Sequence, residues 1–151
     1  MSLILIAASV AAFFVMMAIW IKRTRDCNRH QIEQHSITAD ALNQLLGSNR
    51  ELLLFDVRQP LDVLADSEII PGTKRIPPRE VLENPWLIPK EEDSVVYCTC
   101  PSDKTSRRIL QQALTMGFLR IKFLKGGLAA WKASGYPVQP YELPFHLETT
   151  A

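Results

Sequence analysis

Two short runs of this 151-residue chain, Leu52-Leu53-Leu54-Phe55 and Ser94-Val95-Val96-Tyr97, are continuously apolar rather than alternating. A strand with one face in water alternates, and an unbroken run is expected where a strand is covered on both faces. Arg120-Ile121-Lys122-Phe123-Leu124 adds an alternating strand. Between these runs lie helical patterns. Thr38 can cap a helix from Ala39 to Leu46 with Asp40 in its first turn, stopped by Gly47. Pro60 to Glu68 has a short helical look through Leu61, Val63 and Leu64. One turn is expected over Arg79 to Leu82. Ile109, Leu110, Ala113, Leu114 and Phe118 sit at helix spacing, closed by Gly117. A last helix starts after Gly126-Gly127 and runs through Trp131 to Gly135. Strands alternating with helices imply an α/β domain with a mainly parallel sheet. Sites in such sheets lie beyond the carboxyl ends of the strands.

Met1 to Ile21 carries no charge and is apolar except for Ser2. At 1.5 Å per residue such a helix spans roughly 30 Å, enough for the hydrocarbon core of a bilayer. Lys22, Arg23, Arg25 and Arg29 against Asp26 then give a local net charge of +3, and the remaining 13 basic and 15 acidic residues give −2. A cleavable leader fits poorly, because no basic region precedes the run and no small-x-small site precedes Lys22. The expectation is a single-pass transmembrane helix over 1–21 and a juxtamembrane linker over 22–36, which from Thr24 to Ser36 is a plain linker or a short helix. Trp20 serves as an interfacial anchor, and the basic cluster places the following domain on the cytoplasmic side. Cys27, six residues past the run, is a palmitoylation candidate or a plain thiol.

The near-neutral net charge of +1 gives no reason to expect nucleic acid. Three cysteines, Cys27, Cys98 and Cys100, are too few and odd in number for a disulfide framework. A Cys-x-Cys pair with no nearby histidine is also a poor metal site, so no metal or other cofactor is expected.

The chemistry is expected in Ser94 to Arg108. Cys98 closes a buried strand, Cys100 follows two residues later, and after the polar Pro101-Ser102-Asp103-Lys104-Thr105 a helix is expected with Ser106 as its N-cap. A thiol between a strand end and a helix N-terminus meets a field that favours the thiolate, and the same N–H groups bind anions. Asp56-Val57-Arg58, at the end of another strand, offers a carboxylate and a guanidinium that can pair or tie down loops.

The order of motifs resembles the rhodanese family: Ile37-Thr38-Ala39-Asp40-Ala41-Leu42, Phe55-Asp56-Val57-Arg58, Ile70-Pro71-Gly72-Thr73-Lys74-Arg75-Ile76-Pro77, and Val95-Val96-Tyr97-Cys98. Met116-Gly117-Phe118, Leu124-Lys125-Gly126-Gly127-Leu128-Ala129-Ala130-Trp131 and Gly135-Tyr136-Pro137-Val138 complete the set. The resemblance implies a three-layer α/β domain over 37–140 followed by a tail, 141–151. It also implies a sulfurtransferase that carries sulfane sulfur as a cysteine persulfide, from a thiosulfate-like donor to a thiol or cyanide-like acceptor. Cys98 is favoured as the nucleophile because it directly follows Tyr97, and because Pro101 denies a loop starting at Cys100 its first N–H donor. Counting back from Gly117-Phe118 favours Cys100 instead. Substrate contacts are expected from Thr99, Cys100, Ser102, Asp103, Lys104, Thr105, Ser106 and Arg107, with Asp56 and Arg58 in support. In the family a glycine and then a basic residue five positions on follow the cysteine; here there is no glycine, and the fifth position is Asp103 or Thr105. Three other readings stay open. A phosphatase or arsenate reductase is disfavoured, because Cys-x5-Arg is absent. Cys98 and Cys100 can cycle as a redox pair. A partner-binding module at the membrane needs no turnover.

Overall fold

The computed structural model describes residues 2–48, 51–99 and 103–141, without the side chains of 2–12, 27 and 28. The chain divides into two compact units, 1–34 and 35–151. The first is a single helix, α1 (Ser2–Gln34), which runs on through most of the juxtamembrane stretch, the helical of the two alternatives for it. Among the described residues no helix is long and apolar enough to cross a membrane, and the expected span Met1 to Ile21 lies partly outside them.

The second unit is built in three layers. Its elements are β1 (Ser36–Ile37), α2 (Ala39–Gly47), β2 (Leu52–Asp56), α3 (Pro60–Ala65), β3 (Glu68–Ile69), β4 (Thr73–Arg75), α4 (Pro78–Glu83), a 3-10 turn at Pro85–Leu87, β5 (Asp93–Tyr97), α5 (Lys104–Thr115), β6 (Ile121–Leu124), α6 (Gly127–Ala133) and β7 (Gln139–Pro140). Five strands form a parallel sheet in the order β1-β6-β5-β2-β4. Side chains alternate along each strand. Leu54, Val95, Tyr97 and Leu124 therefore join Leu42, Leu128 and Trp131 in one buried cluster beneath α2 and α6. Phe55, Val96 and Phe123 point the other way, where α5 and α4 pack together. Phe123 meets the Arg107 guanidinium of α5 at 5.2 Å from its ring centroid. Both faces are covered, as the unbroken apolar runs require.

Thr38 caps α2 as expected, its hydroxyl accepting the Ala41 N–H at 3.3 Å. Gly117, with φ +78, closes α5 in the left-handed conformation that a β-carbon disfavours. The start of α5 differs from expectation. The helix begins at Lys104, Asp103 stands at the capping position, and Ser106 lies inside the first turn. The antiparallel pair β3–β7 was not expected from the sequence.

β5 is the central strand. The chain leaves β2 towards β4 on one side, and leaves β5 towards β6 on the other. The crevice beyond the carboxyl ends of β2 and β5 is therefore the switch point where α/β sheets place their sites.

Candidate active site

Cys98 follows the last residue of β5 directly, at that switch point. The backbone around it is pinned from two sides. The Tyr97 carbonyl accepts the Val57 N–H from the loop after β2 at 3.0 Å, and the Cys98 carbonyl accepts the Leu128 N–H from α6 at 3.2 Å. The approach of α6 requires a glycine. A β-carbon on Gly127 would lie 1.7 Å from the Cys98 carbonyl oxygen, and φ there is +54. The Gly126-Gly127 pair, which the sequence presents as a plain turn, is thus the backing of the cysteine.

Cys98 itself is 2 % exposed. Thr99 beside it is half-buried. Cys100 and Ser102, the alternative nucleophile and an expected contact, lie outside the described residues together with Pro101. Asp103 is buried and adopts φ +53, ψ +30. Aspartate is among the few residues that tolerate this left-handed region. Its carboxylate does not cap α5. Oδ2 instead accepts the Gly126 N–H at 2.9 Å, which ties the loop after β5 to the loop after β6.

The first turn of α5 carries the other expected contacts, and they diverge. Lys104 is exposed and Thr105 half-buried. Ser106 is fully buried, and its hydroxyl has no hydrogen-bond partner among the described residues. Arg107 lies over the Phe123 ring. A 12-residue helix begins here with the positive end of its dipole at the loop, so the N–H groups of that turn form the natural anion cradle.

Asp56 and Arg58 are both fully buried and pair within themselves. The Arg58 Nε donates to both carboxylate oxygens of Asp56, at 3.0 and 2.8 Å. Nη1 donates to the Asp66 carbonyl at 2.7 Å and Nη2 to the Glu68 carbonyl at 2.9 Å. Each of the three guanidinium nitrogens has a protein partner, so Arg58 holds the α3–β3 connection against β2. The pair thereby fixes the loop after β2, whose Val57 N–H bonds the Tyr97 carbonyl next to Cys98.

Tyr97 reinforces the same edge. Burial, and then the Asp56 carboxylate, push its hydroxyl above the usual phenol range. It stays protonated, accepts the Ile70 N–H and donates to Thr73 Oγ1, each at 3.3 Å. Arg75, in register with Asp56 on the far side of β2, was not singled out from the sequence. Its Nε and Nη2 are buried without a hydrogen-bond partner among the described residues, and its guanidinium carbon lies 6.0 Å from the centroid of Tyr141.

An open groove of about 540 Å³ lies beside this edge, lined among others by Gln59, Arg79, Glu83, Lys104 and Arg108. Among the described residues no group of acidic, histidine or cysteine side chains is placed to hold a metal ion.

Comparison with known proteins gives consistent results. Residues 38–134 match the family model for the rhodanese-like domain. A sulfurtransferase of Allochromatium vinosum is 29 % identical over 104 residues, which cover 69 % of this chain and 94 % of that protein. The crystal structure of a rhodanese-related protein from Thermoplasma volcanium matches with a TM-score of 0.58 at 25 % identity, over 70 % of this chain and 97 % of that one. A thiosulfate sulfurtransferase from Pseudomonas aeruginosa shares the fold with a TM-score of 0.59 at 23 % identity, over 73 % of this chain and 21 % of that one.

Proposed function

From the premise that the chain belongs to the rhodanese-like domain family, we propose that it is a sulfurtransferase working through a persulfide on Cys98. The observation that carries the reading is the position of Cys98, on the central strand at the switch point, one short loop ahead of the N-terminus of α5. The Cys98 thiolate attacks the outer sulfur of a thiosulfate-like donor. The S–S bond of the donor breaks, and its electron pair leaves with sulfite. The N–H groups around the loop and the first turn of α5, with Lys104, receive the negative charge. A thiolate acceptor then attacks the outer sulfur of the persulfide, and the Cys98 sulfur leaves as thiolate. Asp103, at the end of this loop, takes the left-handed conformation that glycine adopts most readily.

The test is intact mass after incubation of the full chain with thiosulfate. The expected result is a gain of one sulfur, absent in Cys98→Ser and retained in Cys100→Ser. Retention in Cys98→Ser with loss in Cys100→Ser moves the nucleophile to Cys100. No gain with any sulfane donor overturns the reading. One observation favours a second reading, a partner-binding module without turnover: a thiol only 2 % exposed. Failure of a small alkylating reagent to label Cys98 in the folded chain supports that module.

We also propose that α1 anchors the protein in a membrane, with residues 35–151 on the cytoplasmic side. The uncharged run Met1 to Ile21 and the basic cluster after it support this. So do the exposed apolar side chains of α1, from Phe13 and Phe14 to Trp20. A helix apolar all round is stable in lipid or inside a protein and poorly so in water. Release of the chain from membranes by alkaline carbonate would refute it.

A further inference from the structure

Asp103 is a buried acid in the loop that follows the cysteine, and its charge is left over. It is 6 % exposed, and among the described residues no cation pairs with it. The neighbouring cations are engaged elsewhere or stand in solvent. Arg58 is committed to Asp56, Arg107 lies over the Phe123 ring, and Lys104 is exposed. Burying a carboxylate without a counter-charge is unfavourable, and the single hydrogen bond from the Gly126 N–H to Oδ2 at 2.9 Å offsets that only in part. The geometry does not call for the charge. Asparagine enters the left-handed region as aspartate does, and its side-chain carbonyl accepts an N–H in the same way. The carboxylate does not cap α5 either. What aspartate adds over asparagine here is a stronger bond to one N–H and a negative charge.

That charge stands beside the site. Gly126 precedes Gly127, whose β-carbon position is 1.7 Å from the Cys98 carbonyl oxygen, so the carboxylate lies on the order of 10 Å or less from the cysteine backbone. It also sits at the residue before the first turn of α5, where a full negative charge outweighs the roughly half a positive charge of the helix end. We propose that Asp103 is a specificity-determining residue: it favours sulfane donors with one negative charge or none, and it slows the doubly charged thiosulfate ion. This rests on the sulfurtransferase reading and states which donors that same site takes. With a singly charged thiosulfonate, the Cys98 thiolate attacks the outer sulfur, the S–S bond breaks, and its electron pair leaves on the sulfinate. Cys98 keeps the sulfur as a persulfide, so atoms and electrons balance without a further reagent.

Persulfide loading of the full chain, followed by intact mass, tests this by comparing thiosulfate with methanethiosulfonate, which offers the same outer sulfur with one negative charge fewer. The readout is the ratio of the two second-order loading rates, thiosulfate over methanethiosulfonate. Asp103→Asn is expected to raise that ratio about threefold to tenfold, the effect of removing one charge at this distance in a medium between protein and water. Asp103→Gly keeps the left-handed backbone and loses both the charge and the bond to Gly126, and it is expected to raise the ratio equally. A loss of stability alone does not move the ratio, because both donors load the same thiol. An unchanged ratio in the variants overturns the assignment. So does a rise in Asp103→Gly without one in Asp103→Asn, which assigns the effect to the Gly126 bond instead of the charge. Loading by both donors with no shift in the variants leaves the sulfurtransferase reading standing, whereas no loading by either donor overturns that reading and this one together.

Discussion

The backing of Cys98 by Gly127 can be perturbed by one methyl group. In Gly127→Ala the new β-carbon falls 1.7 Å from the Cys98 carbonyl oxygen and 2.9 Å from its carbonyl carbon. Neither atom belongs to a flexible side chain, so α6 or the end of β5 must move by more than an ångström. Holding alanine in the left-handed region costs about 1–2 kcal/mol. Pulling Leu128 off the Cys98 carbonyl forfeits a hydrogen bond worth about 1 kcal/mol and leaves a buried acceptor unmatched. The expected loss is about 3 kcal/mol, a large share of the roughly 5–15 kcal/mol that stabilises a domain. Gly135→Ala is the control. Gly135 has φ +75, and a methyl group there would meet nothing within 4 Å, so only the left-handed penalty of about 1 kcal/mol applies. Urea unfolding of the two variants in mild detergent, followed by far-ultraviolet circular dichroism, isolates the contact term. Gly127→Ala is also expected to lose sulfur uptake at urea concentrations where it is still folded, because the displaced backbone is that of Cys98. Equal stabilities for the two variants, within about 0.5 kcal/mol, would refute the close approach.

Two further outcomes follow from the buried and half-buried ion pairs. Arg58→Met leaves the Asp56 carboxylate buried without its partner and strips donors from the Asp66 and Glu68 carbonyls, at an expected cost of about 3–5 kcal/mol. Asp56→Leu combined with Arg58→Met is expected to be more stable than Arg58→Met alone in urea unfolding, and the reverse order would contradict the charge argument. Lys132 donates to Asp66 Oδ2 at 2.6 Å and pairs with Glu68; burial works to raise the Asp66 carboxyl, but the hydrogen bonds from Lys132 and the Glu68 N–H outweigh it and hold it below its usual range. Hydrogen bonds with Asp66 and Glu68 raise Lys132 in turn. The depressed acid contributes stability above its unfolded value and loses it as pH falls through the folded one. The raised base contributes below its unfolded value and loses it as pH rises through the folded one. Lys132→Met should therefore cost less than about 1 kcal/mol between roughly pH 4 and 10, and melting curves should converge with the wild type outside that window.

How much of this was legible in the sequence depends on whether a feature is local. β2 and β5 could be read because a strand buried on both faces has only one composition, and Leu52 to Phe55 and Ser94 to Tyr97 show it. The Thr38 cap could be read because donor and acceptor lie three residues apart. β3 and β7 are two residues each and exist through pairing across some seventy residues, so no period announces them. The start of α5 was misplaced for a related reason. A cap preference assumes that the side chain nearest the first turn serves that turn. Here the Asp103 carboxylate is drawn away to the Gly126 N–H, and the helix starts uncapped at Lys104 while Ser106 is buried within it. Gly127 and Asp103 look like ordinary turn residues until the loops after β5 and β6 are brought together. The same physical fact explains both. If Cys98 is the nucleophile as proposed, its backbone must be held while its side chain reacts. The constraint is therefore exported to whichever residues touch that backbone. In this chain a glycine lets α6 reach the Cys98 carbonyl, and next to it an aspartate fastens the loop after β5 to the Gly126 N–H of the loop after β6. The positions that define the site are thus partly ones without a chemical group of their own to offer, and a sequence motif built on reactive side chains passes over them.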